Sequence, residues 1–211
     1  MTTPELALSG DDTVRITNSE VKSLRQISEH LRQSADWLEV VDGISDVTVQ
    51  FNPLTLTPDE ASQKLRTSMI TAFSGETLAL PEKELFVLFG GEDGPDLQNV
   101  CDRLSISESE LIDQLCSADL YVDMMGFTPG FAYIGGVPEG LFVPRLTEPR
   151  KHVPAGSLGL AAGRCGTYAL PGPGGWPLIG KVQTPLFDAH ADMPFLIRAG
   201  MPIRLRAVAR S

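Results

Sequence analysis

Residues 121–136 read YVDMMGFTPGFAYIGG, and this stretch decides how the C-terminal half is built. Tyr121 to Met125 is a short apolar run of strand length. It breaks into glycines at 126, 130, 135 and 136 and a proline at 129, with Phe127, Phe131 and Tyr133 between them. Helical periodicity ends there. Further short apolar pieces follow at Leu158–Ala162, Tyr168–Leu170, Leu178–Ile179, Phe195–Ile197 and Ile203–Val208, each bounded by Gly or Pro. Short strands separated by dense turn signals predict a closed or nearly closed β-structure from about Tyr121.

Upstream the pattern differs. Val14 and Ile16 mark a strand, and Val21, Leu24, Ile27 and Leu31 recur at helical steps, with Asn18 or Ser19 as N-cap. Trp37–Val41 and Val47, Val49 and Phe51 predict two strands around a turn at Asp42 and Gly43. Thr57-Pro58-Asp59-Glu60 combines an N-cap, a proline at the first helical position and a capping-box glutamate, so a helix through Leu65 and Met69 follows. Leu85–Phe89 is an apolar run of strand length. The order β-α-β-β-α-β is the ferredoxin-like split βαβ arrangement. Ser74-Gly75-Glu76 is a linker tip. The predicted class is α+β: a small ferredoxin-like domain over 1–83, then a β-barrel domain over 84–211 that opens with a helical hairpin, Pro95–Leu104 and Ser107 to about Cys116.

Composition narrows the function. The 211 residues carry 27 Asp and Glu against 17 Lys and Arg, a formal charge of −10. Such a surface repels phosphate backbones and anionic lipid, so neither nucleic acid nor membrane is an expected partner. No apolar run approaches the roughly 20 residues of a membrane helix. Met1–Gly10 lacks a basic start with an apolar stretch, which makes the cytoplasm the expected compartment. Cys101, Cys116 and Cys165 show no CxxC spacing, and His30, His152 and His190 lie far apart, so no metal is expected.

Three motifs fail on their chemistry. Gly175–Val182 matches most of a Walker A loop, but Val182 has no hydroxyl for magnesium and Gln183-Thr184-Pro185 does not start a helix. The hairpin at 95–116 resembles a helix-turn-helix, yet its candidate recognition helix carries Glu108, Glu110 and Asp113 and no Lys or Arg. Ser157, His152 and Asp188 could be imagined as a triad, but Ser157 sits in Pro154-Ala155-Gly156-Ser157, not in a nucleophile elbow.

What remains is the segment from Gly126 to Asp188. GFTPGFAYIGGVPE at 126–139, Pro144-Arg145, Pro149-Arg150, VPAGS at 153–157 and PGGWPLIG at 173–180 resemble, in order and spacing, the family of 5-oxoprolinase B subunits. That family includes the allophanate hydrolase subunit 1 domains and a Kip-type inhibitor of a histidine kinase. Phe89-Gly90-Gly91 and Gly94-Pro95-Asp96-Leu97 are similar to a further family segment. The resemblance implies a cyclophilin-like β-barrel behind a small α/β domain. It implies a subunit of an ATP-dependent enzyme that opens 5-oxo-L-proline to L-glutamate. With no phosphate loop, metal cluster or catalytic dyad recognisable in the sequence, the chain is expected to be inactive alone. The implied partner is an allophanate hydrolase subunit 2-type chain (the C subunit of 5-oxoprolinase), joined in the oxoprolinase reading by the A subunit. ATP is used by the complex. The alternatives are a Kip-type regulator that inhibits a histidine kinase, and an allophanate hydrolase or urea carboxylase-type subunit. Arg164 and Cys165 stand where the family usually has glutamine and threonine, Gly172 where it has serine or threonine, and Val182 where it has threonine.

The substrate pocket is expected to be lined by Phe127, Pro129, Phe131, Tyr133, Arg145, Arg150, Ser157, Arg164 and Trp176. Aromatics supply apolar walls, and arginine can hold a carboxylate by two parallel bonds. The competing reading leaves Arg145 and Arg150 solvated or pairs them with Glu139 and Glu148.

Overall fold

A computed structural model describes residues 4–18, 21–74 and 80–209. The chain divides into two compact units, Met1–Ala79 and Leu80–Ser211. Among the described residues no helix is long and apolar enough to cross a membrane.

The first unit contains β1 (Glu5–Leu8), β2 (Thr13–Thr17), α1 (Val21–Ser34), β3 (Glu39–Asp42), β4 (Asp46–Gln50) and α2 (Pro58–Ser74). Its sheet runs β1-β2-β4-β3, antiparallel throughout. Alternation puts Val14 and Ile16 of β2 and Val47 and Val49 of β4 on one face. Leu24, Ile27 and Leu31 of α1 and Ala61, Leu65 and Met69 of α2 pack onto that face to make the core. The α2 box forms as its sequence predicts: the Thr57 N–H donates to Glu60 Oε2 at 2.8 Å, and the Glu60 N–H to Thr57 Oγ1 at 3.4 Å. The Thr57 N–H and the Thr57 hydroxyl, both donating to Glu60 Oε2, hold the Glu60 carboxyl below its usual range. At the predicted turn, buried Asp42 accepts from Arg25 at 2.6 Å and also from Arg32. Ser19, one candidate cap of α1, and Gly75-Glu76 of the expected linker tip lie outside the described residues.

One element moves. Leu85–Phe89, expected to close the ferredoxin-like sheet, lies instead in β5 (Lys83–Phe89) of the second unit. The place beside β2 is filled by β1, from the N-terminal side. The apolar run of β5 suits its real position, because a barrel strand needs one wholly buried face and Leu85 and Val87 supply it.

The second unit continues with α3 (Leu97–Leu104), α4 (Glu108–Ser117), β6 (Leu120–Met125), β7 (Ala132–Gly135), a 3-10 turn (Glu139–Leu141), β8 (Arg150–Val153), β9 (Ser157–Ala161), β10 (Arg164–Thr167), β11 (Gly172–Gly174), β12 (Leu178–Val182) and β13 (Pro202–Ala207). The barrel order is β10-β7-β6-β13-β5-β12-β9, closed by β9 on β10. This is the closed β-structure the turn density predicts. β13 joins β5 in parallel, and β8 and β11 form a separate two-stranded ribbon. Val122, Ile134, Leu158, Leu160, Cys165, Ile203 and Leu205 belong to the main core.

The helical hairpin contributes Leu97, Val100, Cys101, Leu111 and Leu115 to that same core and leaves Glu108, Glu110 and Asp113 exposed outside it. Its apolar face is consumed by packing and its outer face is acidic, so the helix-turn-helix resemblance has no groove-binding surface. Tyr168–Leu170 and Phe195–Ile197 are not strands. The former follows β10, and the latter makes a single bridge, Phe187 to Phe195.

Candidate functional site

The outer face of the barrel is bare at one point. Gly159 of β9 and Gly166 of β10 are direct register partners. A Cβ on Gly166 would lie 2.8 Å from both Phe131 Cζ and Trp176 Cζ3, and one on Gly159 would lie 2.9 Å from Trp176 Cβ. The rings therefore rest on main chain, an approach only glycine permits.

Phe131 is the hub of the aromatic layer. It meets Phe127, Tyr133, Tyr168 and Trp176 edge-to-face at centroid distances of 5.5, 4.8, 5.0 and 6.1 Å. Each such pair adds about 0.5–1.5 kcal/mol beyond area burial, so the layer is stiff. Phe131 and Tyr168 belong, with Val153 and Leu178, to a cluster separate from the barrel interior. Burial pushes the Tyr168 phenol above its usual range, partly offset by a hydrogen bond with the Trp176 main chain, so Tyr168 stays neutral near pH 7. The exposed Arg145 guanidinium lies over the Trp176 ring at 5.7 Å, a cation–π distance.

The other arginines are engaged. Arg150 Nη2 donates to Asp96 Oδ1 at 2.7 Å, while Asp96 Oδ2 accepts the Leu178 N–H at 2.6 Å. Arg150 thus pairs with Asp96, not with Glu139 or Glu148. Its Nη1 is buried without a hydrogen-bond partner. Arg164 Nε donates to Asp123 Oδ2 at 2.7 Å. Gly135 leaves room for that carboxylate, since a Cβ there would lie 2.8 Å from the same oxygen.

The expected pocket therefore resolves into parts. Phe131, Tyr133, Trp176 and Arg145 share the aromatic face, with Phe127 at its edge. Arg150 and Arg164 have their charge neutralised by buried acids, which leaves Arg145, among the described residues, as the cation of that face without an ion pair. Ser157 is 2% exposed in β9, and its carbonyl accepts the Tyr168 N–H at 2.9 Å. No hydrogen bond joins it to His152 or Asp188 among the described residues; Asp188 Oδ1 accepts from the His190 N–H at 2.9 Å. The Cys165 thiol is pushed up to about 12 by burial, which removes it as a nucleophile at neutral pH.

Phe127 and Pro129 line a second concavity, a cleft of about 470 Å³ bounded also by Met125, Gly126, Thr128, Gly130, Phe195, Ile197 and Arg198. Phe127 has φ +70° and is 61% exposed. A bulky residue in the left-handed region is strained, and such strain concentrates at functional sites. Sequence reasoning missed Tyr168, Asp96, Asp123 and Arg198. Asp96 stands inside the quoted Gly94-Pro95-Asp96-Leu97 segment, whereas nothing local marks Arg198.

Gly166→Ala tests the platform. It is expected to cost about 1–3 kcal/mol, the range for overpacking, and to shift the Trp176 emission. Gly172→Ala is the control, because a Cβ there meets nothing within 4 Å. Equal urea midpoints for the two variants would mean the rings do not rest on Gly166.

A nucleotide does not fit the Walker-like stretch. Leu178–Val182 is strand β12, followed by turns and not by a helix, so no row of helix-terminal amides faces Gly180 and Lys181.

The family model for the carboxyltransferase domain, subdomain C and D, matches residues 6–197. The chain is 36% identical to the B subunit of 5-oxoprolinase from Escherichia coli O157:H7 over 194 residues, 90% of this chain and 86% of that one. It is 36% identical over 190 residues to the protein of the same name from Haemophilus influenzae, covering 87% and 85%. Among solved structures, TTHA0988 superposes with a TM-score of 0.81 at 26% identity, over 94% of this chain but only 40% of that one. The chain thus spans about two fifths of that protein. Kluyveromyces lactis urea carboxylase superposes with a TM-score of 0.71 at 13% identity, over 98% of this chain and 22% of that one, and shares the fold. With both the barrel and the motif-bearing turns accounted for by these matches, the chain belongs to the carboxyltransferase subdomain C and D family, among relatives that include 5-oxoprolinase B subunits.

Proposed function

We propose that this chain is one subunit of a 5-oxoprolinase, which opens 5-oxo-L-proline to L-glutamate with ATP hydrolysis. It acts in the cytoplasm with an allophanate hydrolase subunit 2-type chain (the C subunit) and with the A subunit. The observation that carries the reading is 36% identity, over 90% of the chain, to a protein named as the B subunit of that enzyme. The aromatic face is the place for the substrate. Phe131 and Trp176 are buried and form its support, half-buried Tyr133 and exposed Phe127 supply the accessible apolar surface, and Arg145 supplies the counter-charge a carboxylate needs. The nucleotide is assigned to the rest of the complex, because the Gly175–Val182 stretch lacks a phosphate cradle. So is the reacting nucleophile, since Ser157 and Cys165 are buried.

Reconstitution tests this. The isolated chain is expected to give no 5-oxoproline-dependent ATP hydrolysis, and adding the A- and C-type subunits should restore it. In that complex Arg145→Ala should weaken transition-state binding by about 1.5–3 kcal/mol, the range for hydrogen bonds to charged groups. That is roughly a 10- to 150-fold fall in kcat/KM. Turnover by the isolated chain, or an assembled complex indifferent to the substitution, would refute the corresponding part.

A further inference from the structure

The cleft beside the aromatic face has an unusual lining. Phe127, Met125, Phe195 and Ile197 make it apolar, and Arg198 is the one charged residue on it. Among the described residues Arg198 takes part in no ion pair, whereas Arg150 and Arg164 each hold an aspartate. The volume of about 470 Å³ falls within the range of roughly 300–1,000 Å³ typical of small-ligand sites.

Both walls are built before any ligand arrives. On one side the Thr128 N–H bonds to the Gly126 carbonyl at 2.9 Å, and the Phe131 N–H to the Thr128 carbonyl at 3.0 Å. Gly130, at φ +76°, seats this turn against the opposite wall, since a Cβ there would lie 2.7 Å from Ala169 Cβ and 3.2 Å from Phe187 Cβ. On the other side Phe187 and Phe195 pair at 5.2 Å, and the Leu196 N–H bonds to the Leu186 carbonyl at 3.0 Å. The main chain of both walls is therefore ordered before binding, and the ordering that remains is that of exposed side chains, Arg198 above all.

We propose that this cleft is a binding site for small monocarboxylates with a compact cyclic or apolar body, with Arg198 holding the carboxylate. Phe127 forms a wall of the cleft, and its ring centroid lies 5.5 Å from that of Phe131, so the cleft adjoins the aromatic face. That 5-oxo-L-proline is among its ligands rests on the function proposed above; the class of ligand rests on the cleft alone.

The experiment follows the Met125 methyl resonance of the full chain during titration with three probes: 5-oxo-L-proline, phenylacetate and neutral phenylacetamide. Both carboxylates should shift the signal saturably, and the amide should bind at least tenfold more weakly. Arg198→Gln should weaken carboxylate binding at least tenfold, and Arg198→Lys should recover part of it. Lys151→Gln, which removes an exposed charge elsewhere, serves as the control and should change nothing. Saturation by phenylacetate but not by 5-oxo-L-proline, lost in Arg198→Gln, would support the site and count against the oxoprolinase reading. Restored turnover in the reconstituted complex with a Met125 signal indifferent to every carboxylate would overturn the site and leave that reading standing. Equal binding by Arg198→Gln and the parent, or by acid and amide, would also overturn it.

Discussion

Gly94→Ala is expected to destabilise the barrel unit by at least about 3 kcal/mol, beyond the usual range for overpacking. A Cβ at this position would lie 2.2 Å from the Ile179 carbonyl oxygen, 2.3 Å from its carbon and 2.7 Å from the Gly90 nitrogen. All three are main-chain atoms and cannot rotate aside as a side-chain tip would. The same backbone is tied by hydrogen bonds from the Gly90 N–H to the Ile179 carbonyl at 3.0 Å and from the Gly94 N–H to the Gly90 carbonyl at 2.8 Å. Making room for the methyl breaks that turn and moves it off β12. Unfolding in urea, followed by Trp176 emission in a Trp37→Phe background, would measure the loss. Gly140→Ala is the reference, because a Cβ there meets nothing within 4 Å and should change stability by no more than about 0.5 kcal/mol. Matching midpoints for the two variants would rule out the close approach.

This turn illustrates what the sequence discloses and what it hides. The Phe89–Leu97 segment could be singled out because it resembles a segment of the family. The close approach to Ile179 could not, because that partner is 85 positions away and no local pattern encodes it. Helices were readable for the opposite reason. Leu24, Ile27 and Leu31 report a period, and the capping boxes at Thr57 and Ser107 report a start, all within a few residues. Strands β7, β8, β10 and β11 were missed because Ala132–Gly135, Arg150–Val153, Arg164–Thr167 and Gly172–Gly174 are too short or too rich in glycine and arginine to show alternation. Their pairing is decided by neighbours across the barrel. The swap of β1 for β5 has the same origin. An apolar run states that a strand is buried, not which sheet buries it.

The candidate site divided along a similar line. The aromatics Phe131, Tyr133 and Trp176 lie together, with Gly159 and Gly166 as the floor beneath Phe131 and Trp176. The arginines did not behave as one group. The sequence marked Arg145 and Arg150 as a local basic patch and Arg164 as an added charge where the family has glutamine, whereas the positions of Asp96 and Asp123 neutralise Arg150 and Arg164.

Asp96→Ala should cost about 3 kcal/mol, because one buried carboxylate carries two strong bonds, each worth about 1.5–3 kcal/mol when made to a charged group. Asp96 is 8% exposed and receives both Arg150 Nη2 and the Leu178 N–H. Removing it leaves a buried N–H in β12 unsatisfied and the guanidinium of Arg150 unpaired. The Arg150 side chain is 30% exposed and can regain some water, which keeps the loss below the roughly 5 kcal/mol upper range for breaking a fully buried pair. Asp96→Asn retains the shape and one acceptor oxygen but turns an amide NH2 toward a donor, so it should lose about half as much. A second readout separates the ion pair from packing. With its acid gone, Arg150 becomes a free cation in contact range of small anions, so millimolar acetate should raise the melting temperature of Asp96→Ala more than that of the parent. A ligand that binds only the folded state stabilises it by RT ln(1 + [L]/Kd). Identical acetate responses would show that Arg150 is no more available without Asp96 than with it. A parent-like melting temperature for Asp96→Ala would dismiss the carboxylate as the clamp between β8 and β12.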